Sequence, residues 1–253
     1  ASSAGLPADM IANTLVVPLD DDRALDEVFD AHGDDIAAVI VEPVPANYGL
    51  LIQRPEWLTH LATRARAAGA LVIFDEVISG FRSGIRGAAD TYGIVPDLVC
   101  YGKVIGGGFP VGAYAGRADL MALVAPEGPV YQAGTLSANP VGMRAGLATL
   151  QHMEDSDGWS VLEARTAAFT ASLAAQLPQS EPGLTIARHA SIFWIHAGSR
   201  GLTPGYSDTD KNRDDSDRHV RRSDRIAPEH ADWYRRFFHA ALERGIYLPP
   251  SGY

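Results

Sequence analysis

The feature that most constrains this chain is a strand–helix–strand unit between residues 36 and 74. Ile36-Ala37-Ala38-Val39-Ile40-Val41-Glu42-Pro43 is a continuous apolar run closed by proline. Such a run reads as a buried strand, because a strand covered on both faces loses the alternation of a half-exposed one. Pro55 follows, and its fixed φ and missing N–H suit the first turn of a helix. Trp57, Leu58, Leu61 and Ala65 then recur at helical spacing up to Gly69, a natural stop. Ala70-Leu71-Val72-Ile73-Phe74 is a second apolar run. Two strands joined through a helix run parallel, with a right-handed crossover. The expected class is therefore α/β with a parallel sheet.

The remaining segments extend that sheet. Residues 1–20 read as loop, and a short helix is expected after Asp21 and Asp22, to about His32. Residues 98–101 form a third apolar strand and residues 111–116 a fourth. The loop between them is too short for a crossover of a dozen or so residues, so the fourth strand is expected to run antiparallel. Asn139-Pro140 opens a helix to about Met153, and residues 161–177 form another. Residues 184–188 and 191–196 then read as short strands. Residues 199–227 interleave acids such as Asp208, Asp210, Asp214, Asp215 and Asp217 with Arg213, Arg218, Arg221 and Arg222. That density reads as an exposed or disordered insertion. Pro228 restarts a helix that Gly245 ends, and residues 246–248 read as a strand. The expected division is residues 1–153 as part of a large domain and 154–253 as part of a smaller α+β domain.

Formal net charge is -10 and the isoelectric point about 5.2. A free nucleic-acid binder is usually basic, so that class is disfavoured. No apolar run approaches the ~20 residues of a membrane helix, and no signal peptide is recognisable. Cys100 is the single cysteine, which excludes an internal disulfide and fits a reducing compartment, so a cytoplasmic location is expected. Lying inside an apolar strand, Cys100 is expected to pack rather than react. The ends read as cut: the chain opens on Ala1-Ser2-Ser3 without an initiator Met and stops at Pro249-Pro250-Ser251-Gly252-Tyr253. A fragment of a longer polypeptide is the expectation.

Candidate chemistry sits at the carboxyl ends of two strands, where ligands collect in open α/β sheets. The strand over residues 98–101 leads to Gly102-Lys103, and a glycine-rich stretch, Gly106-Gly107-Gly108, follows. The strand over residues 70–74 leads to Asp75. A lysine amine can form a Schiff base with an aldehyde cofactor, and an aspartate can hold a pyridinium proton. Together they point to pyridoxal 5'-phosphate (PLP). Taken singly, Asp75 reads as a strand-end acid capping the next turn, and Lys103 as a surface lysine; the pair, with glycines that permit close approach, reverses that balance. Gly134-Thr135-Leu136-Ser137-Ala138-Asn139-Pro140 leads into a helix, where a hydroxyl and free N–H groups suit a phosphate. The plainer alternative there is a cap by Ser137 or Asn139. A Walker loop is excluded because Val104, not Ser or Thr, follows the lysine. The glycines join two strands rather than opening a helix, which excludes a dinucleotide fingerprint. No Gly-x-Ser-x-Gly elbow occurs, and no paired His or Cys spacing suggests a metal.

With these blocks in view, the chain resembles the class III, fold-type I, PLP-dependent aminotransferases over about residues 5–198 and 226–253. The likeness is carried by Glu42-Pro43-Val44-Pro45-Ala46-Asn47-Tyr48-Gly49, by Phe74-Asp75-Glu76-Val77-Ile78-Ser79-Gly80-Phe81-Arg82, by the block from Gly102 to Ala113, and by Tyr131-Gln132-Ala133-Gly134-Thr135-Leu136-Ser137-Ala138-Asn139-Pro140. Two departures from the wider class, the Pro45-Ala46-Asn47-Tyr48-Gly49 loop and Ile78 after Asp75-Glu76-Val77, are most similar to its aminomutase branch, the glutamate-1-semialdehyde 2,1-aminomutases.

The resemblance implies the fold-type I large domain, a mostly parallel sheet with one antiparallel strand and helices on both faces, plus part of a smaller α+β C-terminal domain. It implies that Lys103 carries the PLP aldehyde and moves protons, that Asp75 pairs with the pyridinium nitrogen, and that Val77 packs on the ring face. It implies that Thr135, with Gly134, binds the cofactor phosphate across a homodimer interface. Asn47 is expected near the ring hydroxyl or the substrate, and the segment around residues 4–12 is expected to gate the site. The implied reaction is an internal amino transfer giving 5-aminolevulinate for tetrapyrrole (porphyrin) biosynthesis, with pyridoxamine 5'-phosphate as the second cofactor form. A class III aminotransferase acting on a β- or ω-amino acid is the alternative, and a non-catalytic truncated fragment the second alternative.

Overall fold

The computed structural model describes residues 4–177, 183–198 and 219–253. One helical turn, α1 (Ala8–Ile11), interrupts the stretch expected to be loop. The carboxylate of Asp21 accepts the N–H of Ala24 at 3.0 Å and opens α2 (Asp22–His32). That bond satisfies one of the donors a helix start leaves unpaired. Pro55 stands at the first position of α3 (Pro55–Ala67), as its missing N–H favours.

Four strands form the main sheet: β1 (Ala38–Val41), β2 (Leu71–Glu76), β3 (Leu98–Tyr101) and β4 (Ala113–Gly116), in that spatial order. β1 and β2 pair in parallel, as do β2 and β3, whereas β4 runs antiparallel to β3. The parallel pairing read from the strand–helix–strand unit and the reversal read from the short third connection are both present.

One face of the sheet carries the core. Val72, Phe74 and Glu76 alternate along β2 and are buried, with Leu25 and Phe29 of α2 and Trp57, Leu58 and Leu61 of α3 completing the cluster. Each such apolar side chain contributes about 1.5–3 kcal/mol by leaving water. The opposite face presents Ile40, Ile73, Asp75 and Cys100, which the register sets side by side. Ile40 is 64% exposed, so β1 is not the buried strand that its apolar run suggested. It forms the sheet edge among the described residues, and only alternate side chains reach the core.

After α4 (Gly87–Tyr92) and the turn α5 (Ala118–Met121) come two longer helices, α6 (Pro140–Asp155) and α7 (Gly158–Gln176). Strands β5 (Leu184–His189) and β6 (Ile192–Ala197) form the expected pair as an antiparallel hairpin, and α8 (Glu229–Glu243) packs on β6. A second core joins Val44, Leu50, Leu51 and Ala88 to Ala187, Trp194 and Val220.

Two sequence readings are corrected here. The end of the charged insertion is docked at residues 219–222, 226 and 227, while Ser223, Asp224 and Arg225 are exposed. Val220 is buried, the Arg221 carbonyl accepts the Gln53 Nε2 amide at 2.9 Å, and Arg222 pairs with Asp21 at 2.9 Å. An apolar anchor, a hydrogen bond to the backbone and an ion pair outweigh the local polarity. The rest of that insertion, with Asp208, Asp210, Arg213, Asp214, Asp215, Asp217 and Arg218, lies outside the described residues. Residues 246–248 form no strand: Ile246 and Tyr247 are exposed and no ladder partner occurs among the described residues.

Candidate active site at the strand ends

Three parallel strand ends bring charged groups to one edge of the sheet. Val41 is level with Phe74, so the next residues, Glu42 and Asp75, are neighbours on the face opposite the core. Asp75 is level with Cys100, three residues before Lys103. Adjacent strands lie about 4.8 Å apart, so carboxylates at matched positions feel each other strongly.

Asp75 is half-buried, and one of its oxygens accepts the N–H of Val77 at 3.0 Å. That is the turn-capping bond of the plainer sequence reading, and it leaves the second oxygen without a hydrogen bond among the described residues. The deeper carboxylate is Glu76, fully buried on the core side. It accepts the N–H groups of Ala88 at 2.7 Å and Ala89 at 3.0 Å and the hydroxyl of Ser79 at 3.2 Å. Within Asp75-Glu76, alternation on the strand thus divides the work: Glu76 anchors α4 and Asp75 faces the open side.

Lys103 opens the 3-10 turn Lys103–Gly106 just past β3. Its φ of 46° lies in the left-handed region, which costs a non-glycine residue of order 1 kcal/mol and is concentrated at functional sites. The side chain is exposed, and its amine makes no hydrogen bond or ion pair among the described residues. Lys103 is the only lysine among the described residues; Lys211 is the other in the chain. Val77 abuts the backbone before it, since a Cβ added to Gly102 would lie 3.1 Å from Val77 Cγ1.

The glycines beyond Lys103 serve packing. A Cβ on Gly107 would meet the carbonyl oxygen of Ala145 at 2.5 Å, and one on Gly146 would meet that of Ile105 at 2.0 Å. The turn and α6 therefore approach backbone to backbone, which fixes the lysine's base. Gly108, at φ 94° with open space around it, keeps the chain free to turn.

The remaining expected residues stand apart. Asn47 is exposed, next to the half-buried Ala46. Beside it Tyr48 stacks on Tyr253 at 4.1 Å. Gly134 and Thr135 are exposed in a turn closed by Ser137 N–H to the Gly134 carbonyl at 3.0 Å. The cap of α6 is Asn139, which accepts the N–H of Gly142 at 2.8 Å. No hydrogen bond, ion pair or ring contact among the described residues joins Thr135 to Lys103 or Asp75.

Sequence reasoning missed Glu42 as a site residue. Burial holds its carboxyl above the usual carboxylate range, the charge of Asp75 pushes it the same way, and the Ala46 N–H and the charge of Lys103 oppose them. The signal was available: Glu42 follows one apolar run as Asp75 follows the next. Cys100 is held above its ordinary range by burial and then by Asp75, so it is a poor nucleophile, as its apolar surroundings suggested. No cluster of three or more His, Cys, Asp or Glu among the described residues forms a metal site, and no described helix is long and apolar enough to cross a membrane.

Residues 9–189 match the family model described as aminotransferase class-III. Over all 253 residues the chain is 52% identical to a glutamate-1-semialdehyde 2,1-aminomutase of Bdellovibrio bacteriovorus, covering 55% of that protein. It is 51% identical to the protein of the same name from Leptospira interrogans, covering 54%. The chain thus spans about half the length of the curated relatives it matches. Among solved structures it superposes on an omega-transaminase from Sphaerobacter thermophilus with a TM-score of 0.80 at 30% identity, covering 98% of this chain and 53% of that one. A transaminase with PLP bound gives a TM-score of 0.80 at 29% identity, covering 100% of this chain and 54% of that one.

Proposed function

The chain belongs to the class-III aminotransferase family, and on that premise we propose that it is part of a PLP-dependent glutamate-1-semialdehyde 2,1-aminomutase. The observation that carries the reading is the 52% identity over the whole chain to a relative of that name. The donor set is consistent with it: an exposed primary amine on a fixed turn, and a carboxylate on the neighbouring strand with one oxygen held by Val77 and one left for a ring N–H.

When bound, PLP supplies an electron-withdrawing ring that makes the C–H bond beside the amino nitrogen acidic. The protein's part is to position and to move protons. Lys103 would carry the cofactor aldehyde and serve at Nζ as the base and acid of the proton shifts. Asp75 would keep the ring nitrogen protonated. Val77 would pack on the ring face, Asn47 would contact the ring hydroxyl or the substrate, and Gly134 with Thr135 would hold the phosphate of a partner protomer. The net change is an isomerisation of glutamate-1-semialdehyde to 5-aminolevulinate, a tetrapyrrole precursor, with no second amino compound consumed. A cytoplasmic homodimer belongs to the same proposal. So does the division into residues 1–153, within the PLP-binding large domain, and 154–253, within the small domain.

The test is to add PLP and then glutamate-1-semialdehyde. Visible absorbance that borohydride fixes on Lys103 and that Lys103→Ala abolishes, followed by 5-aminolevulinate without an amino acceptor, is the expected result. A requirement for an acceptor favours the aminotransferase reading, toward which the omega-transaminase likeness leans. Absence of both absorbance and product makes this chain a non-catalytic fragment.

A further inference from the structure

We propose that His189 is a positioning residue: with Trp159, it clamps the loop after β2 and so fixes, through Tyr101 and Val77, where Asp75 and Lys103 stand relative to one another. The inference rests on the reading of Asp75 and Lys103 as the working groups of the site.

The clamp itself is the first observation. The segment after Glu76 folds back on itself. The Gly80 N–H bonds to the Glu76 carbonyl at 2.8 Å, and the N–H groups of Arg82 and Ser83 bond to the Ser79 carbonyl at 3.0 and 2.8 Å. Its outer rim is held by residues far along the chain. His189 Nε2 meets the Ser83 hydroxyl at 2.9 Å, the Ser191 hydroxyl donates to the Arg82 carbonyl at 3.4 Å, and the Trp159 indole donates to the Phe81 carbonyl at 3.0 Å. His189 pairs with Ile192 in the register of β5 and β6, so the first two contacts come from the tight tip of that hairpin. The third comes from the first turn of α7.

The second observation is the path inward from that rim. Phe81, at φ 57°, sets its ring 5.4 Å from that of Tyr101, and a Cβ on Gly80 would lie 2.5 Å from Tyr101 Cδ1. Tyr101 is level with Glu76 and stands two residues before Lys103. On the other side, Val77 Cγ1 would lie 3.1 Å from a Cβ on Gly102, and the Val77 N–H holds Asp75 at 3.0 Å. The loop therefore meets the end of β3 at glycine backbone, with no long side chain between to absorb a shift. Close packing of this kind transmits displacement. Moving the rim moves the cap on Asp75 and the base of Lys103 together.

The clamp also brings no charge to the strand ends. An indole N–H, a hydroxyl and an imidazole make it, and burial lowers the proton affinity of that imidazole, with Glu163 opposing and Arg188 reinforcing. Its effect is on geometry. A misplacement of about 1 Å between reacting groups can cost about 100-fold in rate.

The experiment begins with hydrogen exchange on the cofactor-free 253-residue chain, so its first readout is independent of PLP. The Val77 amide reports the bond to Asp75. The Ile105 amide, bonded to the Gly102 carbonyl at 3.2 Å, reports the turn that carries Lys103. Ser83→Ala and His189→Leu should each quicken both amides about fivefold, with exchange in α3 unchanged. His189→Gln, whose amide nitrogen can take the place of Nε2, should restore the wild-type rates. With PLP and glutamate-1-semialdehyde added, Ser83→Ala and His189→Leu should lower kcat about tenfold while KM changes less than about twofold. Faster exchange confined to Arg82 and Ser83, or equal acceleration throughout the chain, or no restoration by His189→Gln, overturns the proposal. So does an unchanged kcat in variants whose Val77 and Ile105 amides exchange faster. Failure of the borohydride trap in the wild type, with the expected exchange pattern intact, would instead count against the cofactor reading alone.

Discussion

The carboxylate of Glu76, at the end of β2, accepts the backbone N–H of Ala88 at 2.7 Å, twelve positions on. α4 has no side-chain cap of its own, so the strand supplies one. Gly87 makes room for it: at φ 68°, a Cβ there would lie 2.4 Å from Glu76 Oε2. Replacing Glu76 by Gln keeps the volume but turns an amide donor toward N–H donors. We expect a loss of about 2–3 kcal/mol, since a buried charge-assisted bond is exchanged for an unsatisfied pair. Urea unfolding of Glu76→Gln checks this, and an unchanged midpoint would refute it.

The loop that follows Asp75 is held from the far side of the chain. Trp159 of α7 donates its indole N–H to the Phe81 carbonyl at 3.0 Å, and His189 of β5 meets the Ser83 hydroxyl at 2.9 Å. Phe81 sits at φ 57° with its ring 5.4 Å from that of Tyr101. Trp159→Phe removes the N–H together with part of the indole ring. Hydrogen exchange at Arg82 and Ser83, whose amides bond to the Ser79 carbonyl, should quicken about fivefold, corresponding to ~1 kcal/mol of local stability. Exchange as slow as in the wild type would mean that the indole bond contributes nothing to the loop.

Gly146 tests the contact that fixes the base of Lys103. Alanine normally gains about 1 kcal/mol over glycine inside a helix. Here the added carbon would lie 2.0 Å from the Ile105 carbonyl oxygen, a backbone atom that no rotamer can move. Overpacking costs about 1–3 kcal/mol, and with α6 forced away from the turn it should win. A net destabilisation of about 1–2 kcal/mol is expected for Gly146→Ala by thermal melting, whereas a gain in stability would show that α6 yields without cost.

His196 gives the protein a pH dependence of known sign. The ring is buried, stacks on Trp194 at 4.3 Å, and is pushed down to about 4 by burial and then by the neighbouring His230 and His219. The unfolded chain binds a proton near the ordinary value of 6.5, so between those limits the unfolded state holds more protons than the folded one. Its contribution to stability is complete above pH 6.5 and is lost as pH falls toward 4, by about 3 kcal/mol in all. His196→Gln should flatten the stability profile in that window. A slope unchanged by the replacement would assign the acid sensitivity to other groups.

Much of this architecture is written in periodicity and punctuation. Pro55 and Gly69 bracket α3, the short connection after Lys103 reverses β4, and the apolar runs ending at Glu42, Asp75 and Lys103 name the strand ends where ligands gather. Those signals are local, because a helix cap or a turn depends on residues a few positions apart. Which acid of Asp75-Glu76 faces the open side was not legible. It depends on which face of β2 the helices α2 and α3 cover, and only the packed sheet decides that. The burial of Val220 inside a charged stretch, the exposure of Ile40 inside an apolar one, and the raised carboxyl of Glu42 likewise depend on residues far apart in the chain. Sequence alone determined the residue types and the elements that carry them. Their shared environment came from tertiary structure, because desolvation and Coulomb interaction act through space.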